Sequence, residues 1–359
     1  YLGLCNHPEV LEADAKAAAE YGMFYPMGAR AMSGETEQHL QLERELADFV
    51  GKESAYLLNF GYQGMLSTID ALVSRHDVIV YDSNSHACIV DGVRLHMGKS
   101  FMFRHNDMDS FEKNIKRATK VAEENGGGIL VITEGVFGMT GQQGKLKEIA
   151  EFKKQYSFRL LVDDAHGFGT LGKTGAGAGE EQGCQDQIDV YFSTFAKSMA
   201  GFGAFIAGNK EIIRYLKFNL RSQIFAKSLT MPMVIGGLKR LELLRTRPEI
   251  KAKLWENVEK LQNGLLERGF NLGNSNTCVT PVFMQGTPVE ATLLVKDLRE
   301  NFGIFTSVVV YPVIPKGSIL LRLIPTASHT DAEINETLAA FETIHDKLVN
   351  GVYKQQAEK

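Results

Sequence analysis

No apolar run in this chain reaches the roughly 18 residues that a membrane-spanning helix requires, and no secretion signal is visible. Cysteine is scarce. Cys5, Cys88, Cys184 and Cys278 form neither a CxxC pair nor a disulfide framework, so reduced thiols and a cytoplasmic location are expected. A large excess of either charge is missing too. A net charge of −4 provides no basic field for nucleic acid or an anionic membrane. Internal repeats and low-complexity stretches are absent, which excludes a repeat array.

What the chain has is enough apolar material for a large core. With 359 residues and 44% hydrophobic content, it can fill one large domain and a smaller one. Apolar runs at 54–59, 77–81, 128–133, 159–163, 189–193 and 203–208 alternate with helical stretches, which predicts a mostly parallel α/β sheet. One stretch repeats Met108, Phe111, Ile115, Ala118 and Ala122 at helical spacing, with Gly126 as its stop. From residue 239 the texture shifts to charged helices and shorter strands. Leu254, Val258, Leu261 and Leu265 mark a helix, 278–285 and 304–311 read as strands, and Thr330 with Glu333 reads as a capping box. The expected division is a large domain over 9–238 and a small C-terminal α+β domain over 239–359.

One motif invites a nucleotide-binding reading. GFGTLGKT, from Gly167 to Thr174, matches GxxxxGK[ST] and begins as GxGxxG. Both patterns need a helix whose N-terminus receives the phosphates. The following GAGAGEEQG opposes one, because each glycine costs roughly 1 kcal/mol in a helix. An active-site loop is the better reading, with a P-loop nucleotide hydrolase as the alternative of a different class.

Asp163 ends the apolar run RLLVD, and Lys197 follows the run DVYFS. Chemistry in an open parallel sheet lies beyond the carboxyl ends of its strands, so both groups can point into one crevice. A lysine amine and a carboxylate so placed suit pyridoxal 5'-phosphate. The amine condenses with the aldehyde, and the carboxylate keeps the ring nitrogen protonated. Spacing alone is weak evidence in a chain with 39 Lys and Arg and 43 Asp and Glu. The setting of Lys197, between apolar Phe195 and Met199 and close to several glycines, is unusual for a solvated lysine.

Six segments in order, NFGYQG, DSNSHACIVDG, TEGVFGMTG, VDDAHGFGTLG, STFAKSMAGFG and LLRLIPTASHT, resemble the α-oxoamine synthase family over nearly the whole chain. That resemblance implies pyridoxal-phosphate-dependent transferase fold type I, of the aspartate aminotransferase kind. It also implies an acyltransferase that joins an amino acid to an acyl thioester with loss of carbon dioxide. Tyr1 falls inside a segment similar to the family's NxYLGL, so residues 1–8 are expected to be the remnant of an N-terminal segment.

Site roles follow from the resemblance. Lys197 would hold the cofactor and act as general base, Asp163 would pair with the ring nitrogen, and His166 would donate to the phenolic oxygen. His86 would cover the ring face and touch the substrate carboxylate. Phe60, Gly61 and Tyr62, at a helix start, and the Thr194 hydroxyl would hold the phosphate. Ser228 would complete that phosphate site from a neighbouring subunit, making a homodimer obligatory. Arg322, inside the apolar LLRLI, would grip the amino-acid carboxylate with both arms of its guanidinium. No metal is called for.

The chain departs from the family at Gly138, where relatives carry serine, and at Gln142, where they carry an acid. RSQIFAKSLTMP, PEIKAKLW and GFNLG are similar to bacterial serine palmitoyltransferases, whereas YPVIPKG is similar to glycine C-acetyltransferase (2-amino-3-ketobutyrate CoA ligase). The expected substrates are L-serine, or an analogue such as cysteate, and a long-chain acyl-CoA, with acyl carrier protein as an alternative carrier. Glycine C-acetyltransferase and 8-amino-7-oxononanoate synthase are the alternatives within the family. A catalytically silent partner subunit is opposed by the presence of Lys197, Asp163, His86 and Arg322.

Overall fold

A computed structural model describes residues 1–358 apart from 312, 313 and 315. Those three belong to YPVIPKG, so that segment lies partly outside the described residues. The chain divides into two compact units. The larger comprises Gly3–Phe137 and Gln143–Pro248, and the smaller Tyr1–Leu2, Gly138–Gln142 and Glu249–Lys359.

The larger unit is built on seven strands: β1 Ser54–Leu58, β2 Val78–Asp82, β3 Lys99–Phe103, β4 Ile129–Glu134, β5 Arg159–Asp163, β6 Val190–Thr194 and β7 Ala204–Gly208. Their order across the sheet is β1-β7-β6-β5-β4-β2-β3. Neighbours from β6 to β3 run parallel, and β7 is antiparallel to both β6 and β1. The link 195–203 between β6 and β7 is too short for a parallel crossover. Because β7 reverses, β1 runs in the same direction as β6, and its carboxyl end lies on the same edge of the sheet.

Central strands read as continuous apolar runs because helices cover both faces. Leu160, Leu161 and Val162 are fully buried, and each such side chain contributes roughly 1.5–3 kcal/mol by leaving water. The expected helix spans Met108–Asn125 and buries Phe111, Ile115, Ala118 and Ala122; Gly126 ends it at φ 65. That dihedral favours a residue without Cβ.

In the smaller unit, β8 Thr280–Gln285, β9 Ser307–Val309 and β10 Ser318–Leu323 form an antiparallel sheet in the order β8-β10-β9. Helix Pro248–Glu267 buries Leu254, Val258, Leu261 and Leu265. Both halves of the Thr330–Glu333 capping box are present at the start of Asp331–Val349. This is the α/β fold expected, with a large mixed sheet and a smaller C-terminal sheet. Among the described residues, no helix is long and apolar enough to cross a membrane.

Candidate active site

Four neighbouring parallel strands end along one edge of the large sheet in Thr194, Asp163, Glu134 and Asp82. Asp163 stands opposite Glu134 in register, and all four residues are buried. Three acids in a row at such an edge need compensation. Asp82 obtains it locally, from the backbone N–H groups of Asn84 at 2.8 Å and Asn106 at 3.1 Å and from His105 Nδ1 at 3.0 Å.

Asp163 accepts the Ala165 N–H at 3.1 Å, and the Cys88 thiol lies 3.9 Å from its Oδ2. Burial pushes its carboxyl above the ordinary range, opposed by the positive field of Lys197, the Ala165 N–H and His86. Lys197 therefore faces Asp163 electrostatically, on a loop anchored by buried Phe195 and Met199. Ala200, three residues on, has φ 46, and Gly203 has φ 109. Such a tightly wound loop returns the chain to β7 immediately.

His86 is the N-cap of helix Ala87–Leu95. Its ring Nδ1 lies 3.0 Å from Cys88 Sγ, and its edge meets Tyr62 with ring centroids 6.3 Å apart. The imidazole is exposed beside the buried Asp163, so one of its faces remains open to a flat ligand.

Helix Gly61–Leu72 starts directly after β1, with Phe60 in extended conformation and no side chain capping the first turn. Leu58 and Thr194 both pair with Ala204 of β7, which brings this helix start beside Thr194. A Cβ on Gly61 would lie 3.1 Å from Thr194 Oγ1. First-turn N–H groups and a hydroxyl thus converge where an anion would be stabilised. Phe60 and Tyr62 stay exposed around it.

His166 is buried in the loop after β5, where its carbonyl accepts the Thr170 hydroxyl at 2.7 Å. The adjacent Asp164 organises that loop. Its Oδ2 accepts from Ala178 N–H and Tyr191 O–H, each at 2.9 Å. Cβ atoms on Gly135, Gly167 or Gly177 would collide with its carboxyl at 2.0, 2.1 and 1.8 Å. Gly167 of GFGTLGKT, with Gly135 and Gly177 outside it, therefore makes room for an aspartate, while Gly169 packs on Ser198 and Gly172 on Glu180. The loop's backbone N–H groups are engaged internally, Gly172 with Glu181, Thr174 and Ala176 with Glu180, and Gly169 with the Gly175 carbonyl. Only the short helix Ala178–Glu181 follows. The nucleotide reading fails on that geometry.

Ser228 sits in the same unit, with its hydroxyl 3.3 Å from the Gly28 carbonyl. In the smaller unit, Arg322 lies on β10 with its Nε buried and unpaired. The Tyr1 phenol hydrogen-bonds to the Arg322 side chain, and burial pushes that phenol far up. Glu134 is the residue that sequence reasoning missed. It ends a fully buried strand, the same signal that singled out Asp163.

The comparisons agree with this geometry. Residues 1–341 match the family "Aminotransferase class I and II". A cysteate-C-fatty acyltransferase of Capnocytophaga ochracea is 68% identical over 354 residues, covering 99% of this chain and 84% of that protein. A serine palmitoyltransferase of Sphingobacterium spiritivorum is 36% identical over 355 residues, covering 99% of this chain and 85% of that protein. Among solved structures, a serine palmitoyltransferase variant from S. paucimobilis with bound PLP–myriocin aldimine superposes with a TM-score of 0.90 at 29% identity, covering 98% of this chain and 86% of that one. The chain belongs to the class I and II aminotransferase family, in its α-oxoamine synthase branch.

Proposed function

We propose that this enzyme condenses cysteate, or its analogue L-serine, with a long-chain acyl thioester, releasing carbon dioxide and a 3-keto aminolipid precursor. The observation that carries this reading is the 68% identity to a cysteate-C-fatty acyltransferase over 99% of the chain. The cofactor is pyridoxal 5'-phosphate, and the site fits it. An uncapped helix start with a hydroxyl suits the phosphate, a buried carboxylate suits a ring cation, and an exposed imidazole edge suits a flat ring.

When bound, the cofactor supplies an electron-poor ring that takes up the electron pair left at the α-carbon, first by proton loss and then by decarboxylation. Lys197 Nζ would hold the aldehyde and, once released, would remove the α-proton. Asp163 would pair with the ring nitrogen and so maintain the ring's pull. His86 would cover the ring, and His166 would donate to the phenolic oxygen. The N–H groups of Phe60, Gly61 and Tyr62 with the Thr194 hydroxyl would bind the phosphate, and Arg322 would bind the carboxylate. In the condensation the α-carbon bonds to the acyl carbonyl carbon and the thiolate leaves. Carbon dioxide then departs, and the same carbon is reprotonated.

A homodimer completes this reading, with Ser228 of the partner subunit reaching the phosphate. Met23, Phe24, Tyr25, Met27 and Met32 form an exposed apolar cluster in the larger unit that a second copy would cover. A cytoplasmic location, with peripheral contact to a membrane through the acyl product, is part of this proposal. The experiment is a substrate matrix: amino acids added singly to the holoenzyme, each scored for its absorbance change and then for carbon dioxide release with a ladder of acyl-CoA and acyl carrier protein thioesters. Cysteate with long acyl chains should be the best pair. Glycine with acetyl-CoA as the best pair would overturn the substrate assignment.

A further inference from the structure

Glu134 has no part in the roles above, yet it is one of the most enclosed carboxyls in the molecule. It is 5% exposed, stands in register with Asp163 on the neighbouring strand, and its Oε1 accepts the backbone N–H of His86 at 2.5 Å. Its backbone is held closely too: a Cβ on Gly144 would lie 2.1 Å from the Glu134 carbonyl oxygen.

Two carboxylates side by side in a buried edge cannot both ionise without a large Coulomb cost. The charged and titratable groups around Glu134 are Asp163 from β5, His86 and Cys88 at the start of the helix after β2, Lys197 from the loop after β6, and Asp82 from β2. Lys197 and the Ala165 N–H favour charge on Asp163. Glu134 has the His86 N–H and a weaker pull from Lys197, and it sits next to the Asp163 charge.

We propose that Glu134 is a positioning residue of this site: its neutral carboxyl fixes the backbone from which the His86 ring projects and, by carrying the shared proton, leaves Asp163 as the single anion beneath the ring. Burial and the Asp163 charge hold the Glu134 proton well above the ordinary carboxylate range, in keeping with that division. A neutral Glu134 lets the Asp163 charge act on the ring nitrogen alone. An ionised one would split the field and pull on Lys197. The inference rests on the cofactor reading above.

The test compares Glu134→Gln with Glu134→Ala in the holoenzyme. Gln keeps a neutral acceptor for the His86 N–H, so its cofactor absorbance should match wild type across pH and kcat/KM should stay within about threefold. Ala removes the acceptor. Its kcat/KM should fall by about 10²-fold, the usual cost of a misplaced catalytic group, and the His86 amide proton should move upfield in the NMR spectrum. Gln as damaged as Ala would mean that an anion is needed there and would overturn the proposal. So would Ala with an unshifted His86 amide. Should the Ala variant fail to fold, the carboxyl carbon of Glu134 in the wild type decides the matter: the chemical shift of a protonated acid at neutral pH supports the assignment, and that of a carboxylate overturns it. Borohydride labelling of Lys197 in every variant separates this question from the cofactor reading. Its absence in wild type would sink the latter, whereas its presence with an unaffected Ala variant sinks only the role of Glu134.

Discussion

Gly61 approaches Thr194 so closely that a methyl group added to it would stand 3.1 Å from the threonine hydroxyl oxygen. The contact exists because β1 and β6 both flank β7 and pair with the same residue, Ala204. If this junction is the phosphate cradle, Thr194→Ala should weaken cofactor binding by about tenfold, the loss of one charge-assisted hydrogen bond, and Gly61→Ala should weaken it by crowding the Thr194 hydroxyl out of place. Equilibrium dialysis of the apo-protein measures this directly. Unchanged affinity in both variants would place the phosphate elsewhere.

Asp163→Asn should retain the cofactor but disable its chemistry. The amide cannot hold a proton on the ring nitrogen, so kcat should drop by about 10²–10³-fold, and α-proton exchange from the amino acid alone should slow in parallel. Following exchange by NMR in deuterated buffer separates this loss from any defect in acyl thioester binding.

Asp164 is a stability device. Burial pushes its carboxyl up to about 7, against the opposing bonds from Ala178 and Tyr191, whereas an unfolded aspartate titrates near 3.9. Below pH of about 4 both states hold the proton, and the contribution is fully present. It declines as pH rises through about 7, because the unfolded chain has already ionised. The melting temperature of the apo-protein should therefore carry a falling component across that window, and Asp164→Asn should flatten it. Gly177→Ala should not fold normally. Its Cβ would meet Asp164 Oδ2 at 1.8 Å on a backbone with φ 109.

If Arg322 grips the amino-acid carboxylate, Arg322→Lys keeps the charge and loses the planar two-pronged contact. KM for the amino acid should rise by about 10- to 100-fold with a smaller change in kcat, the pattern of lost ground-state binding. Steady-state kinetics at saturating acyl thioester measures this, and a kcat loss at unchanged KM would argue for a different role.

Much of this was legible in the sequence because buried parallel strands leave continuous apolar runs. RLLVD and DVYFS both stand as strands, and the polar residues at their ends mark the reactive edge. The strand Lys99–Phe103 was not legible, since as an edge strand it is largely exposed and shows no apolar run. The reversed direction of β7 was hidden in GAFIAG, because an apolar run carries no direction. Only the short link after Lys197 gives it away. Glu134 lay in plain view within TEGVFGMTG, but its significance depends on the register with Asp163, which no single strand reveals. In IFTSVVVY only Ser307–Val309 pairs as strand with β10; Thr306 reaches that strand through its side chain, donating its hydroxyl to the Arg322 carbonyl.

The most direct measurement is reduction of the holoenzyme with borohydride followed by peptide mass spectrometry. The account requires a yellow protein that bleaches and carries one pyridoxyl group per chain on Lys197, with none on the Lys197→Ala variant, which should also have lost α-proton exchange. A label on any other lysine, or undiminished exchange in that variant, would contradict it.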